Sequence, residues 1–384
     1  MNEKEGRQGG LKIGSAADVT PSTTCCSQSG VAQLSRLGQP FVKGSVQTPV
    51  GPVPQISSSL AWADRWGSMR ARWGMGRMHY TVQPGLYALG NPDEKAPVLV
   101  TANYKMSFDR LREALPDRDA WILVLDTKGI NVWCSAAKGT FSTGEVLRRI
   151  ESIGLAEVVS HRQLILPQLA GPGVAAHQVQ KLSGFRVIYG PIRATDLPAF
   201  LDAGLMATPE MRRKTFTIWE RLVLIPIELV VAFKWTLIIL PVFFLIGGLG
   251  GAGGFWASAL NYGLFSVLSL LAALTAGAVL SPLLLPWLPG RAFSMKGMGM
   301  GLITAGVLAV FRAGGLGTWS GRLEILAWFL LVPAVAAYLA MNFTGASTYT
   351  SLSGVKKEVK WAVPLEIAAG GVGLCLWLGS LLIM

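Results

Sequence analysis

Apolar positions fall into two regimes along this chain of 384 residues. Up to about residue 205 they come in short runs broken by polar and glycine-rich stretches. The runs predict strands at 98–102, 121–126, 131–133, 157–160, 163–166 and 187–189. Helical periodicity predicts helices at 107–115, 143–152, 174–183 and 197–203. Strands alternating with helices imply an α/β domain built on a mainly parallel, Rossmann-like sheet. From Ile218 onward the apolar runs lengthen to about 20 residues, enough to span a hydrocarbon core of about 30 Å.

Five such runs, at 229–249, 256–280, 298–311, 323–343 and 363–382, predict an all-α domain of five transmembrane helices, the third beginning as early as Ala292. Loop charges orient them. Arg212, Arg213, Lys214 and Arg221 precede the first run, Arg291 and Lys296 separate the second from the third, and Lys356, Lys357 and Lys360 separate the fourth from the fifth. Arg312 and Arg322 stand on the other side. Basic loops stay inside, so the N-terminal domain is expected in the cytoplasm and the C-terminus outside a cell inner membrane. Gly247/Gly251 and Gly297/Gly301 have the spacing of close helix contacts. Glu228 and Lys234 stand near the start of the first run, where snorkelling to the interface accounts for both.

Composition agrees with a membrane protein. Hydrophobic residues make up 51% and charged residues 15%, against about 25% charged in soluble domains. The net charge of +12 raises nucleic-acid binding as a possibility, but many of the basic residues flank apolar runs as topology anchors. Residues 1–60 are rich in Gly, Ser, Thr, Pro and Gln and read as a disordered tail. It carries Cys25 and Cys26 and has no apolar core of a signal peptide. The expected domains are therefore the tail 1–60, a soluble domain 61–210 and a transmembrane domain 211–384. At 61–78, Trp62, Trp66 and Trp73 interleave with Arg65, Arg70, Arg72 and Arg77. Such a stretch suits a nucleic-acid surface, a membrane-interface segment or an edge packed on the next domain.

The four cysteines form no CxxC and fit no disulfide framework, so no iron–sulfur cluster or zinc ribbon is indicated. His79, His161 and His177 are scattered, and no phosphate-binding glycine motif occurs in the soluble part. The unusual cluster is Asn131-Val132-Trp133-Cys134-Ser135-Ala136-Ala137-Lys138-Gly139-Thr140-Phe141. A strand ending at Trp133 and a helix starting at Ser142, with Glu145 in capping-box spacing, would place Cys134 between a strand end and a helix N-terminus. The helix dipole and Lys138 would stabilise a thiolate there. Small side chains at 135–137 and Gly139 leave room for a flat, bulky group. A structural and a ligating role for Cys134 both fit this pattern.

Residues 131–140 resemble the signature of the corrinoid protein of mercury methylation, with Ser135 in place of the family's Ala and Ala137 in place of its Gly. Segments 97–105, 166–177, 189–194 and 342–357 are similar to the large subunit of the corrinoid iron–sulfur protein. The resemblance implies a base-off corrinoid (cobalamin-type) bound by the α/β domain, with cobalt ligated on its lower face by Cys134. It implies a membrane-anchored methyltransferase that passes a methyl group from the corrinoid to Hg(II), giving methylmercury. It implies a corrin lined by Thr101, Asn103, Asn131, Val132, Trp133, Lys138, Thr140, Phe141, Gly171, Gly173, Val174 and Ala175. The implied partners are a two-cluster ferredoxin-like iron–sulfur protein as electron donor and a folate-type methyl donor or methyltransferase upstream, with no nucleic acid. The alternative is a related membrane corrinoid carrier serving another acceptor in one-carbon metabolism. A transporter is disfavoured by the sparse intramembrane charge.

Overall fold

The computed structural model describes residues 38–251, 253–346 and 352–383. Cys25, Cys26 and the first 37 residues of the expected tail lie outside the described residues. Residues 42–48 and 51–56, expected within that tail, are strands. Val42–Thr48 (β1) and Gly51–Ile56 (β2) form an antiparallel hairpin, with Val46 opposite Val53. The hairpin joins the main sheet through Gln55 and Ile56. Pro52 and Pro54 of β2, which lack an N–H, lie before that junction.

The chain then runs through helix α1 (Trp62–Arg72), β3 (Gly85–Leu89), β4 (Val98–Ala102), α2 (Lys105–Glu113), β5 (Ala120–Leu125), α3 (Val132–Lys138), α4 (Thr143–Ile153), the short α5 (Leu155–Val158), β6 (Gln163–Leu166), α6 (Ala176–Ser183), β7 (Arg186–Tyr189) and α7 (Leu197–Asp202). Two expected strands are helical instead. Residues 131–133 begin α3, and 157–160 overlap α5, where Leu155 and Val158 turn their apolar side chains into the core. The sheet order is β1-β2-β3-β5-β4-β6-β7, with β4, β5, β6 and β7 mutually parallel and β3 antiparallel to β5. Strands β3, β4 and β5 are buried along their whole length, so they show no polar alternation. Val146 and Ile150 of α4 and Val179 of α6 fill one face. Phe108 and Leu111 of α2 and Leu197 and Phe200 of α7 fill the other.

A buried ionic cluster fastens α1 to α2. Lys105 Nζ lies 2.7 Å from Asp64 and 2.6 Å from Asp109, and Arg112 lies 2.7 Å and 2.8 Å from the same two carboxylates. Arg112 also donates to the carbonyls of Ser57 and Ser59. Two acids and two bases neutralise one another, which is the condition for burying them.

Five helices are long and apolar enough to cross a membrane: Ile218–Gly247, Phe255–Leu283, Phe293–Phe311, Trp319–Asn342 and Ser353–Leu382, here spans one to five. The chain therefore reads as a multi-pass membrane protein. Span four is central, with Trp328 packed beside Trp377 of span five and Phe243 of span one. Gly297 and Gly301 of span three meet it so closely that a Cβ on Gly301 would sit 2.5 Å from Pro333 Cα. Gly247 abuts Gly263 in the same way, whereas Gly251 lies beyond the helix in a turn with φ of 89°. Lys296, read from the sequence as a loop charge, lies in the first turn of span three and donates to the Leu285 carbonyl at 2.6 Å.

Candidate functional site

The loop 126–130 after β5 is held from two sides. Asn103, at the end of β4, is buried, and its Oδ1 accepts from Thr127 N at 3.1 Å and Gly129 N at 3.0 Å. The Thr127 hydroxyl lies 2.8 Å from that oxygen and 2.7 Å from the Ile130 carbonyl. Asp126 N donates to Glu145 of α4 at 2.8 Å. Gly129 has φ of 70°, and a Cβ there would meet the Met78 carbonyl at 2.9 Å, so the turn needs glycine on both counts.

The loop delivers Asn131 to the N-cap of α3, where its Oδ1 accepts from Cys134 N at 2.9 Å. Cys134 thus stands in the first turn of its own short helix, not between a strand and the following helix. A capping Asn, good helix formers at 136–138 and Gly139 in the left-handed region at φ 78° outweigh the apolar Val132-Trp133 pair that suggested a strand. Ser142 does cap α4, but Glu145 turns away from the reciprocal bond to pair with Arg148 and Arg149. On α3, Ser135 and Ala136 are buried, Ala137 and Lys138 are exposed, and Cys134 is half-buried. Cys134, Ala137 and Lys138 share one helix face by their spacing.

Beside α3 opens a cavity of about 390 Å³. It lies at the carboxyl ends of β4 and β6, neighbouring strands whose onward connections run to opposite sides of the sheet, the usual ligand crevice of open α/β sheets. Thr101, Asn131, Val132 and Trp133 line it. Tyr104, Pro167, Gly190, Pro191 and Ile192 also line it, along with Arg72 and Arg110. Burial, and then the nearby Arg110 charge, lower the pKa of the Arg72 guanidinium, while Arg110 itself pairs with Glu113 at 2.8 Å.

The other expected lining residues take different places. Asn103 clamps the loop, Phe141 is fully buried in the core, and Lys138 points to solvent. Thr140 packs back onto the Thr127 and Ser135 carbonyls. Gly171, Gly173, Val174 and Ala175 form the turn before α6 that braces α3 and α4. Gly173 O accepts from Thr143 N, Thr143 Oγ1 from Ala175 N, and Val174 O from the Tyr189 hydroxyl. A Cβ on Gly173 would lie 2.1 Å from the Phe141 carbonyl, so this glycine serves backbone packing.

Among the described residues no group of three or more His, Cys, Asp or Glu converges on a point. The family model for the CO dehydrogenase/acetyl-CoA synthase delta subunit matches residues 76–201. The acetyl-CoA decarbonylase/synthase complex subunit gamma of Methanopyrus kandleri is 38% identical over 133 residues, covering 34% of this chain and 28% of that protein. The subunits gamma of Methanothermobacter thermautotrophicus and Methanocaldococcus jannaschii are each 34% identical, covering 33% of this chain and 28% and 26% of those proteins. The chain thus spans little more than a quarter of the length of these relatives. The family match takes in α3 and most of the cavity wall, while α1 and the five spans lie outside it.

Proposed function

We propose that the chain is a membrane-anchored corrinoid protein that receives a methyl group from a one-carbon donor and hands it to an acceptor. The observation that carries this reading is Cys134, a half-buried thiol next to a cavity-lining tryptophan, within the segment similar to acetyl-CoA decarbonylase/synthase subunits.

The residues fit such a group. Cys134 offers one soft donor, and since among the described residues no three or more His, Cys, Asp or Glu converge, a metal held there would need further ligands of its own, such as a corrin would supply. Beyond Ala137 and Lys138, a Cβ on Gly139 would find no atom within 4 Å, so this face is open to a flat partner. Arg72, at the cavity wall, suits an anion such as the phosphate of a nucleotide tail.

When bound, the corrinoid supplies a cobalt that takes up and releases methyl. Cys134 would hold that cobalt through its thiol, aimed by the Asn131 cap and the Asn103 clamp. Val132 and Trp133 would shield that donor from water on the cavity side. The chain would draw electrons from a two-cluster ferredoxin-like partner and methyl from a folate-type donor. Basic residues before span one and at the start of span five favour a cytoplasmic α/β domain in the inner membrane, with the C-terminus outside.

Two acceptors compete. A carrier role in one-carbon metabolism has the support of the acetyl-CoA decarbonylase/synthase relatives. Hg(II) methylation has the support of the thiol in the Asn-Val-Trp-Cys turn and the appended spans. The test uses the full chain loaded with methylated corrinoid, following transfer to Hg(II), to free thiols and to an acetyl-CoA-forming partner. Cys134→Ala should leave the fold intact, change the cobalt absorption spectrum and abolish transfer. An unchanged spectrum and unchanged transfer would overturn the role of Cys134.

A further inference from the structure

Helix α1 buries the wrong side for an ordinary surface helix. Asp64, Gly67 and Ala71 form its inner stripe. Asp64 sits in the buried ionic cluster, Ala71 is 1% exposed, and a Cβ on Gly67 would lie 2.6 Å from the Tyr80 ring. Trp62, Trp66, Met69 and Trp73 follow at i, i+4, i+7 and i+11 and form the outer stripe, at 74%, 45%, 51% and 49% exposure. Trp62 and Trp66 stack at 5.6 Å. Arg65 and Arg70 flank the stripe and are exposed, and Met75 and Met78 extend it beyond the helix.

The end of this helix lies against the membrane domain. A Cβ on Gly74 would be 3.8 Å from Ile227 and 4.0 Å from Val230, in the first two turns of the helix Ile225–Gly247 that makes up most of span one. The aromatic stripe therefore ends beside the first turns of the helix Ile225–Gly247. Indole rings favour the headgroup level, and arginines favour anionic lipid.

We infer that α1 is an interfacial membrane anchor. Its Trp62/Trp66/Met69/Trp73 stripe lies in the headgroup layer of the bilayer that holds the five spans, and Arg65 and Arg70 meet anionic phosphates. The ionic cluster then fixes α2, and with it the cavity wall at Met106, Ser107 and Arg110, at a set distance from the membrane surface. Aromatic–basic interleaving also suits single-stranded nucleic acid, but contact with a membrane span favours lipid.

The test is a full-length chain with a benzophenone amino acid at position 66, reconstituted in nanodiscs of phosphatidylglycerol or of phosphatidylcholine and illuminated with RNA present. Lipid adducts should dominate and be stronger in phosphatidylglycerol. The docked-to-undocked ratio should fall roughly fivefold for each of Arg65→Gln and Arg70→Gln at low salt. The same probe at Asp117 controls for non-specific labelling. Adducts mainly to RNA or to protein, or lipid labelling no greater at 66 than at 117, would overturn the anchor. Hydrogen exchange of the segment 62–73 in the same nanodiscs gives an independent readout, with protection expected in phosphatidylglycerol and lost in the double arginine variant.

Discussion

Asn131 and Cys134 are joined by one hydrogen bond, from the Cys134 backbone N–H to the Asn131 side-chain oxygen at 2.9 Å. The bond starts helix α3 and fixes the direction in which the thiol leaves the backbone. Removing a capping oxygen costs about 1 kcal/mol. Asn131→Ala should lower the stability of the α/β domain by that amount in denaturant titrations. It should also loosen corrinoid binding more than stability alone explains. Asn131→Ser, which keeps an acceptor, should recover most of both.

Asn103 is a stronger point of failure. Its Oδ1 is the acceptor for two backbone N–H groups of the loop 126–130. Asn103→Leu would leave both buried donors without that partner, at about 1–3 kcal/mol each. The expected outcome is a melting temperature several degrees lower, with hydrogen exchange rising first at Thr127 and Gly129. A loop whose exchange matches wild type would show that other groups hold it.

The sequence reveals the parallel strands β4 to β7 but not the β1–β2–β3 side of the sheet. Strands at 98–102, 163–166 and near 121–125 are apolar runs between turn signals, and the structure contains them. β3, Gly-Leu-Tyr-Ala-Leu, is a short run without β-branched residues and was not legible. The hairpin β1–β2 hides behind Gly44, Pro52 and Pro54, which read as loop until the pairing is seen. At the site, the segment around Cys134 stands out by itself, because an Asn, a Cys and a run of small residues are contiguous. The cavity is assembled from α2, the β6 end and 190–192, which only the sheet topology brings together. The signal that could have found it is the switch between β4 and β6, which requires the strand order. The packing of Gly173 against the Phe141 carbonyl is likewise a tertiary contact that the sequence pattern does not show.

Spans three and four depend on two glycines. Gly301 faces the span-four backbone at Pro333, and Gly297 faces Ala336 and Ala340. Gly301→Ala should destabilise the bundle by about 1–3 kcal/mol, because backbone cannot yield as a side-chain tip does. Gly299→Ala, at a position where a Cβ would have no neighbour within 4 Å, is the matched control and should be neutral or slightly stabilising. Thermal unfolding of the two variants in one detergent separates them, and equal midpoints would refute the tight span three–span four contact.

Acid should weaken the loop that carries the thiol. Burial raises the pKa of the Asp126 carboxyl, but the hydrogen bonds and charge of Lys128, with Arg149 beyond, outweigh burial and hold it below its ordinary value of 3.8. A carboxylate with a depressed folded pKa contributes stability that is present above the unfolded pKa and disappears as pH falls through the folded one. The contribution is therefore complete at neutral pH and is lost below about pH 4. It stays under about 1 kcal/mol, because Lys128 is largely in water and its pairing is screened. Asp126→Asn should make the loop 126–130 exchange slightly faster at pH 7 and remove the extra acceleration below pH 4. High salt should shrink the wild-type difference in the same direction. Exchange at Thr127 and Gly129 that accelerates equally in both proteins below pH 4 would assign the acid effect to another carboxylate.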